Sequence, residues 1–60
     1  MAKQLYNVII FFKPETGRTP AKYRNVSTIE NLTNKARNWG GWYMNLYFKE
    51  TREFARRIYL

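Results

Sequence analysis

The spacing of apolar and polar residues predicts several short strands. The range 5–12 is rich in β-branched and aromatic residues on both alternating sets, which is typical of a strand covered on two sides. Prolines and a glycine in 13–20 predict a loop between the first two strands. Over 21–26, Lys22 and Arg24 alternate with less polar residues, a pattern that favours an edge strand.

A helix should follow, because Ser27 and Glu30 have the spacing of a capping box. In that motif the hydroxyl and the carboxylate satisfy backbone amides at the start of a helix. We therefore predict a helix over 28–39, ended by the pair Gly40-Gly41, which accepts the left-handed conformation. Its apolar stripe comprises Ile29, Leu32, Ala36 and Trp39.

From Trp42 onward the apolar period changes to two, which predicts a hairpin over 42–60. One face is expected to carry Trp42, Met44, Leu46 and Phe48 from the third strand and Phe54, Ile58 and Leu60 from the fourth. For the apolar residues of the two strands to lie on the same face, the numbers of paired residues must sum to an even number. The loop between the strands must then have an odd number of residues. Arg56 then falls on the apolar side, which implies either snorkelling at an edge or a bulge that resets the register. Trp39 and Trp42 are both expected to be substantially buried.

These elements predict a single α+β domain over residues 1–60, in the order strand-strand-helix-strand-strand. The helix would pack on one face of a mostly antiparallel four-stranded sheet. A right-handed crossover would place the first and last strands side by side and parallel at its centre. That layout resembles the small immunoglobulin-binding domains of bacterial surface proteins in element order alone. A three-stranded sheet with a detached first strand is the alternative.

The composition of the chain indicates the kind of partner that it binds and the kinds of chemistry that it lacks. Eleven Lys and Arg stand against four Glu, so the formal charge is +7 and an anionic partner is favoured. Without Cys or His there is no zinc site or disulfide, and the usual catalytic proton shuttle is missing, so neither a cofactor nor an enzymatic reaction is expected. The apolar run 8–12 is too short to cross a membrane, and a cytoplasmic location is expected.

The candidate binding surface is the sheet face turned away from the helix. Rings interleaved with cations allow bases to stack while Lys and Arg hold phosphates, so we predict binding of RNA or other single-stranded nucleic acid. RNA-recognition domains use a sheet in this general manner. The predicted binding residues are Tyr43, Tyr47, Lys49, Arg57 and Tyr59, extended by Lys22, Arg24 and Arg52.

Two other interpretations of this surface remain open. Exposed tyrosines are good strand formers and make ordinary cross-strand pairs. If Val8 and Ile10 face the core, the outer face gains Leu5, Ile9 and Phe11, and the resulting apolar patch is larger than a monomer normally exposes. The chain would then be a small phage-type accessory protein that binds an acidic host protein and inhibits or redirects it, or a homodimer through the same face.

Overall fold

Four strands and one helix account for most of the chain. The computed structural model describes residues 4–60, so residues 1–3 of the predicted domain lie outside the described residues. In chain order the elements are β1 (Tyr6–Phe11), a 3₁₀ turn (Pro14–Thr16), β2 (Ala21–Val26), α1 (Ile29–Asn38), β3 (Tyr43–Phe48) and β4 (Phe54–Tyr59). All four strands belong to one antiparallel sheet, which confirms the predicted fold class and element order. No helix among these residues is both long enough and apolar enough to span a bilayer.

The strands lie in the order β2-β1-β3-β4. The predicted central pair of parallel first and last strands is therefore wrong: β1 pairs with β3 in antiparallel orientation and β4 forms an edge. Arg56 supplies the physical reason. It pairs with Leu46 and so faces the helix side, where a central strand would bury its charge. At the edge it remains exposed beside α1, as snorkelling requires.

The face that α1 covers, hereafter the covered face, is apolar. Val8 and Ile10 of β1 pair with Leu46 and Met44 of β3, and each of these side chains is at most 1% exposed. Burying one side chain of this size contributes about 1.5–3 kcal/mol, so the two central strands supply much of the stability. The buried apolar core comprises Val8, Ile10, Phe12, Leu32, Ala36, Met44 and Leu46.

The N-terminus of α1 lacks the predicted capping box. Thr28 occupies the N-cap position and makes no side-chain hydrogen bond to the helix. A capping box needs its Glu at the third helical position. Because the helix begins at Ile29, that position falls to Asn31, and Glu30 stands one place too early. The Ser27 and Glu30 pattern is therefore out of register with the helix that forms.

The C-terminus of α1 ends at the predicted pair of glycines. Gly40 has a φ of 79° and donates its amide proton to the carbonyl of Arg37, while Gly41 donates to the carbonyl of Ala36 at 2.9 Å. This is a Schellman motif. A Cβ on Gly41 would lie 2.6 Å from Cδ1 of Leu60 and 2.9 Å from the Ala36 carbonyl oxygen, so only glycine fits.

Both tryptophans are more exposed than predicted, Trp39 at 39% and Trp42 at 41%. Trp39 is the C-cap of α1 and stacks on Tyr23 with ring centroids 6.2 Å apart. Trp42 precedes β3, and its ring meets Tyr43 edge-on at 4.9 Å. Each tryptophan stands just outside a regular element, where the periodicity of that element no longer fixes the direction of a side chain.

Two β-bulges lie at the same end of the sheet. In β2, Asn25 has a φ of 58° where the pairing with β1 shifts by one residue. In β4 the register shifts so that Phe54, and not Ala55, pairs with Tyr47. Phe54 therefore leaves the covered face, where the sequence pattern placed it, and is 53% exposed. Ala55 packs against the core instead.

Candidate nucleic-acid interface

The face of the sheet that α1 leaves uncovered, hereafter the open face, presents its side chains in rows. Residues that pair directly across antiparallel strands project to the same side, so the pairing defines each row. Successive rows are two residues apart along a strand, about 7 Å. The aromatic row is Phe11, Tyr43 and Tyr59, the middle row is Lys22, Ile9, Asn45 and Arg57, and the lower row is Asn7, Tyr47 and Phe54.

Rings cluster at one end of the open face, defined here as the aromatic end and formed by Phe11, Trp42, Tyr43 and Tyr59. Phe11 stacks on Tyr43 with centroids 4.9 Å apart and an interplanar angle of 25°. Trp42 and Tyr59 approach the same tyrosine at 4.9 Å and 6.0 Å. Tyr43 is thus enclosed by neighbours, whereas Tyr59 is 67% exposed and presents a free ring surface.

Arg57 is held beside this ring cluster. Its Nε donates a hydrogen bond to Oδ1 of Asn45 at 2.9 Å, and its guanidinium carbon lies 4.6 Å from the centroid of the Tyr43 ring. A side-chain hydrogen bond with Tyr59 raises the pKa of Arg57 above its ordinary value. A guanidinium has five N–H donors, so these contacts leave donors for a ligand. Asn45 itself is only 7% exposed although no helix covers it.

Cations gather at the opposite end of the open face, hereafter the basic end. A cavity of about 430 Å³, which we call the basic cavity, is lined by Asn7, Arg24, Asn25, Lys49 and Arg52. A groove of about 260 Å³ shares Asn7, Arg24 and Arg52 with it and continues along Ile9 and Tyr47 to Lys22. The basic cavity therefore opens into the middle of the open face.

Backbone contacts fix the segments that carry these cations. The amide of Lys49 donates to the carbonyl of Leu5 at 3.2 Å, which extends the pairing of β1 with β3 beyond its last strand residues. The amide of Arg52 donates to the carbonyl of Phe48 at 2.7 Å, and Arg52 has a φ of 62°. The bulge at Asn25 brings the end of β2 to the same cavity.

None of the four strands carries a carboxylate. The four glutamates of the chain lie in the 3₁₀ turn (Glu15), in α1 (Glu30) and in the loop between β3 and β4 (Glu50 and Glu53). The strand cations are Lys22, Arg24, Arg56 and Arg57. The open face therefore carries Lys22, Arg24 and Arg57 with no carboxylate on its own strands, and this positive charge raises the concentration of anions near it.

The structure brings the predicted binding residues to the open face, but in separate groups. Tyr43, Arg57 and Tyr59 lie at the aromatic end or beside it. Lys22 and Tyr47 line the central groove. The remaining predicted cations, Arg24, Lys49 and Arg52, line the basic cavity.

Sequence reasoning missed Trp42 and Phe54 as surface rings and gave Asn45 no role. Alternation assigned Trp42 and Phe54 to the covered face, and a bulge or a position outside a strand overrides alternation. The bulge lies between Arg56 and Phe54 and leaves Arg56 on the covered side, so the apolar parity of Arg56 did not signal it. Nothing in the sequence singles out Asn45 as the hydrogen-bond acceptor that holds Arg57.

A larger groove, about 650 Å³, lies on the helix side along the edge of β2. Its cation, Arg18, donates a hydrogen bond to the carbonyl of Trp39 at 2.5 Å and lies 3.9 Å from the Phe12 ring centroid. A cation at a helix C-terminus is stabilising, so Arg18 fastens the loop between β1 and β2 to α1. The contacts of Arg18 in this groove therefore have a structural explanation, and we assign the groove no binding role.

No protein-family model, curated protein or solved structure matches the chain.

Proposed function

We propose that the chain is a small binding module whose open face takes single-stranded nucleic acid, either RNA or DNA. One observation carries this proposal: exposed rings and cations alternate on a sheet whose strands contain no carboxylate. Bases stack on aromatic rings with little sequence preference, and Lys and Arg hold the phosphates.

The rings that offer surface to a base are not all those predicted from the sequence. Tyr59 is 67% exposed, Phe54 53% and Trp42 41%, whereas Tyr43 is enclosed by its neighbours. We therefore assign base stacking to Tyr59, Phe54 and Trp42, and treat Tyr43 as the ring that orders the aromatic end. A base must be unpaired to offer its flat surface to such rings, which favours single strands over duplexes.

The two most exposed rings are far enough apart for a strand to lie across the sheet. Tyr59 belongs to the aromatic row and Phe54 to the lower row, so they are separated by two row spacings, about 14 Å. Arg57 lies in the row between them and can contact a phosphate along the way. A short oligonucleotide is therefore the ligand that fits this arrangement.

A second copy of the chain fits the open face less well. Two open faces brought together would bring Lys22, Arg24 and Arg57 of both copies into one interface, with no strand carboxylate to offset their charge. The net charge of +7 adds long-range repulsion. The positive charge of the chain would also favour an acidic protein as partner. The following experiment distinguishes such a protein from nucleic acid.

Titration of labelled poly-dT and poly-U oligonucleotides at two salt concentrations tests the proposal. Tyr59→Ala is expected to weaken binding by about 1–3 kcal/mol at an unchanged salt slope, because a stacking surface is lost. Arg57→Gln is expected to lower the slope of log affinity against log salt by about 0.7, because one phosphate contact and its counterion release are lost.

Two matched variants serve as controls. Trp39→Ala removes a ring of similar exposure to Trp42 from the helix end, and Lys35→Gln removes one exposed charge from α1. Neither should change oligonucleotide affinity by more than about 0.5 kcal/mol at moderate salt. Equal small losses in all four variants, with binding abolished at moderate salt, would reduce the interaction to nonspecific attraction. Capture of a partner that survives nuclease, and whose binding Tyr59→Ala weakens, would favour the acidic protein instead.

A further inference from the structure

The basic cavity is assembled from three segments that are distant in the sequence. Asn7 comes from β1, Arg24 and Asn25 from the end of β2, and Lys49 and Arg52 from the loop between β3 and β4. Three of these five side chains are cations, and no described residue that lines the cavity is acidic. Glu50 and Glu53 belong to the same loop but do not line it.

The backbone at this cavity is unusual. Among the described residues, the two non-glycine positions with positive φ are Asn25 at 58° and Arg52 at 62°, and both line the cavity. Asn tolerates the left-handed conformation because its short side chain can hydrogen-bond to nearby backbone. The long side chain of Arg offers no such local compensation. The bulge at Asn25 directs the end of β2 toward the basic cavity, and the turn at Arg52 directs the hairpin loop toward it. The cations therefore line one cavity although like charges repel.

We propose that the basic cavity is a phosphate-binding subsite of the open face. The proposal rests on the proposed function, because the phosphate belongs to the bound strand. Arg24 and Arg52 can each bind phosphate oxygens with a planar fork of donors, and Lys49 supplies a compact charge. The amide groups of Asn7 and Asn25 add neutral donors. The ligand is a phosphate group, either a terminal monoester or a backbone diester.

The position of the cavity gives the bound strand a direction. The cavity lies beyond the lower row, where Tyr47 and Phe54 stand, and the central groove joins it to the middle of the sheet. A strand whose phosphate occupies the cavity would follow this groove past Tyr47 and Ile9 toward the aromatic end, where Tyr59 offers the most exposed ring. In this arrangement the basic end binds a phosphate and the aromatic end stacks on bases.

Inorganic phosphate tests the subsite without a nucleic acid. Titrated into the ¹⁵N-labelled chain at constant ionic strength, it should produce saturable shifts at the amides of residues 24–25 and 49–52. Chloride at the same ionic strength should not. Arg52→Gly removes the cation and keeps a residue suited to positive φ, so the shifts should disappear while the fold persists. Lys35→Gln removes a cation of α1 that does not line the cavity, so this variant should retain the shifts. Shifts spread evenly over all cations, or shifts that survive Arg52→Gly, would overturn the subsite.

Oligonucleotides of one sequence carrying a 5′-phosphate, a 3′-phosphate or neither then identify the source of the phosphate. Arg24→Gln and Arg52→Gly should each lower the affinity of the preferred oligonucleotide at least tenfold, against no more than twofold for Lys35→Gln. If high affinity requires one terminal phosphate, the ligand of the cavity is a monoester. If the substitutions lower the affinity of all three oligonucleotides equally, the ligand is a backbone diester. Phosphate binding without oligonucleotide binding would keep the subsite and overturn the proposed function. Oligonucleotide binding that tolerates both substitutions would keep the function and overturn the subsite.

Discussion

The covered and open faces are built from alternate residues of the same strands, yet they differ in almost every property. Ile10 is fully buried beneath α1, while the adjacent Ile9 lies on the open face between Lys22 and Asn45. The covered face consists mainly of aliphatic side chains, whereas the open face consists mainly of rings, amides and cations. In this chain of 60 residues, the residues that stabilise the fold are therefore distinct from those proposed to bind a ligand.

That separation has a consequence for substitutions. A change on the covered face should lower the free energy of unfolding, because it removes buried apolar surface. A change at an exposed position of the open face should leave the fold nearly intact and alter affinity for a ligand. The following variants test this contrast, in order of decreasing effect on stability.

Leu46→Ala should cause the largest loss, about 2–5 kcal/mol of unfolding free energy, because it opens a cavity in the core. Leu46 is 1% exposed and lies between Val8 of β1 and Arg56 of β4. Urea denaturation followed by far-ultraviolet circular dichroism measures this loss. A change below about 1 kcal/mol would mean that the covered face does not dominate stability.

Gly41→Ala should cost about 1–3 kcal/mol, because the added Cβ meets the Leu60 side chain and the Ala36 carbonyl. Gly17 provides a control: it has a φ of 67° but no atom within 4 Å of the Cβ position. Gly17→Ala carries only the cost of a left-handed conformation for a residue with a Cβ, about 1 kcal/mol. Denaturation midpoints for both variants measure the difference. Equal losses would show that the contact between the helix end and Leu60 is not tight.

Tyr43→Ala should lower stability by about 1–2 kcal/mol, because it removes a ring that packs against Phe11, Trp42 and Arg57. Tyr59→Ala should change stability by less than about 0.5 kcal/mol, because the Tyr59 ring is 67% exposed. Thermal and urea unfolding of the two variants, with oligonucleotide affinity measured alongside, make the comparison. The reverse order of stability losses would show that Tyr59, and not Tyr43, orders the aromatic end.

Ser27→Ala should have the smallest effect, within about 0.5 kcal/mol, because no side-chain cap forms at the start of α1. A capping serine would cost about 1 kcal/mol when replaced. The urea midpoint distinguishes these values. A loss near the larger value would show that the capping box forms in solution.

Strand positions and the helix were predictable because their signals are local. Alternation over 21–26 predicts β2 with its observed bounds, and the period of two from Trp42 starts β3 one residue early. The glycine pair marks the helix end. The odd loop length required by the last hairpin also holds, since Met44 pairs with Ile58 across a five-residue loop. Such features depend on residues close together in the chain.

Strand order was also within reach of the sequence. Arg56 falls on the covered side, and a central strand cannot bury such a charge, so β4 had to lie at an edge. The handedness of the crossover constrains the position of β4 less strongly than the exclusion of this charge from the centre of the sheet. The Ser27 and Glu30 pattern failed for a different reason: a shift of one residue in the helix start removes the motif.

The candidate site was predictable in its residue types and not in its arrangement. The rings and cations are visible in the sequence, but the two bulges determine which of them share a surface. The bulge in β4 turns Phe54 outward, and the one in β2 brings Arg24 to a cavity shared with Lys49 and Arg52. Bulges depend on pairing between strands, which no local pattern determines.

The most direct test of the account uses the isoleucine methyl groups as reporters of the two faces. Ile9 lies on the open face, whereas Ile10, Ile29 and Ile58 lie in or against the core on the helix side. In a ¹³C-methyl spectrum of the chain titrated with an oligo-dT, stacked bases should shift the Ile9 signal through their ring currents and leave the other three unchanged. Shifts at Ile29 and Ile58 with Ile9 unmoved would contradict the account and place the ligand on the helix side.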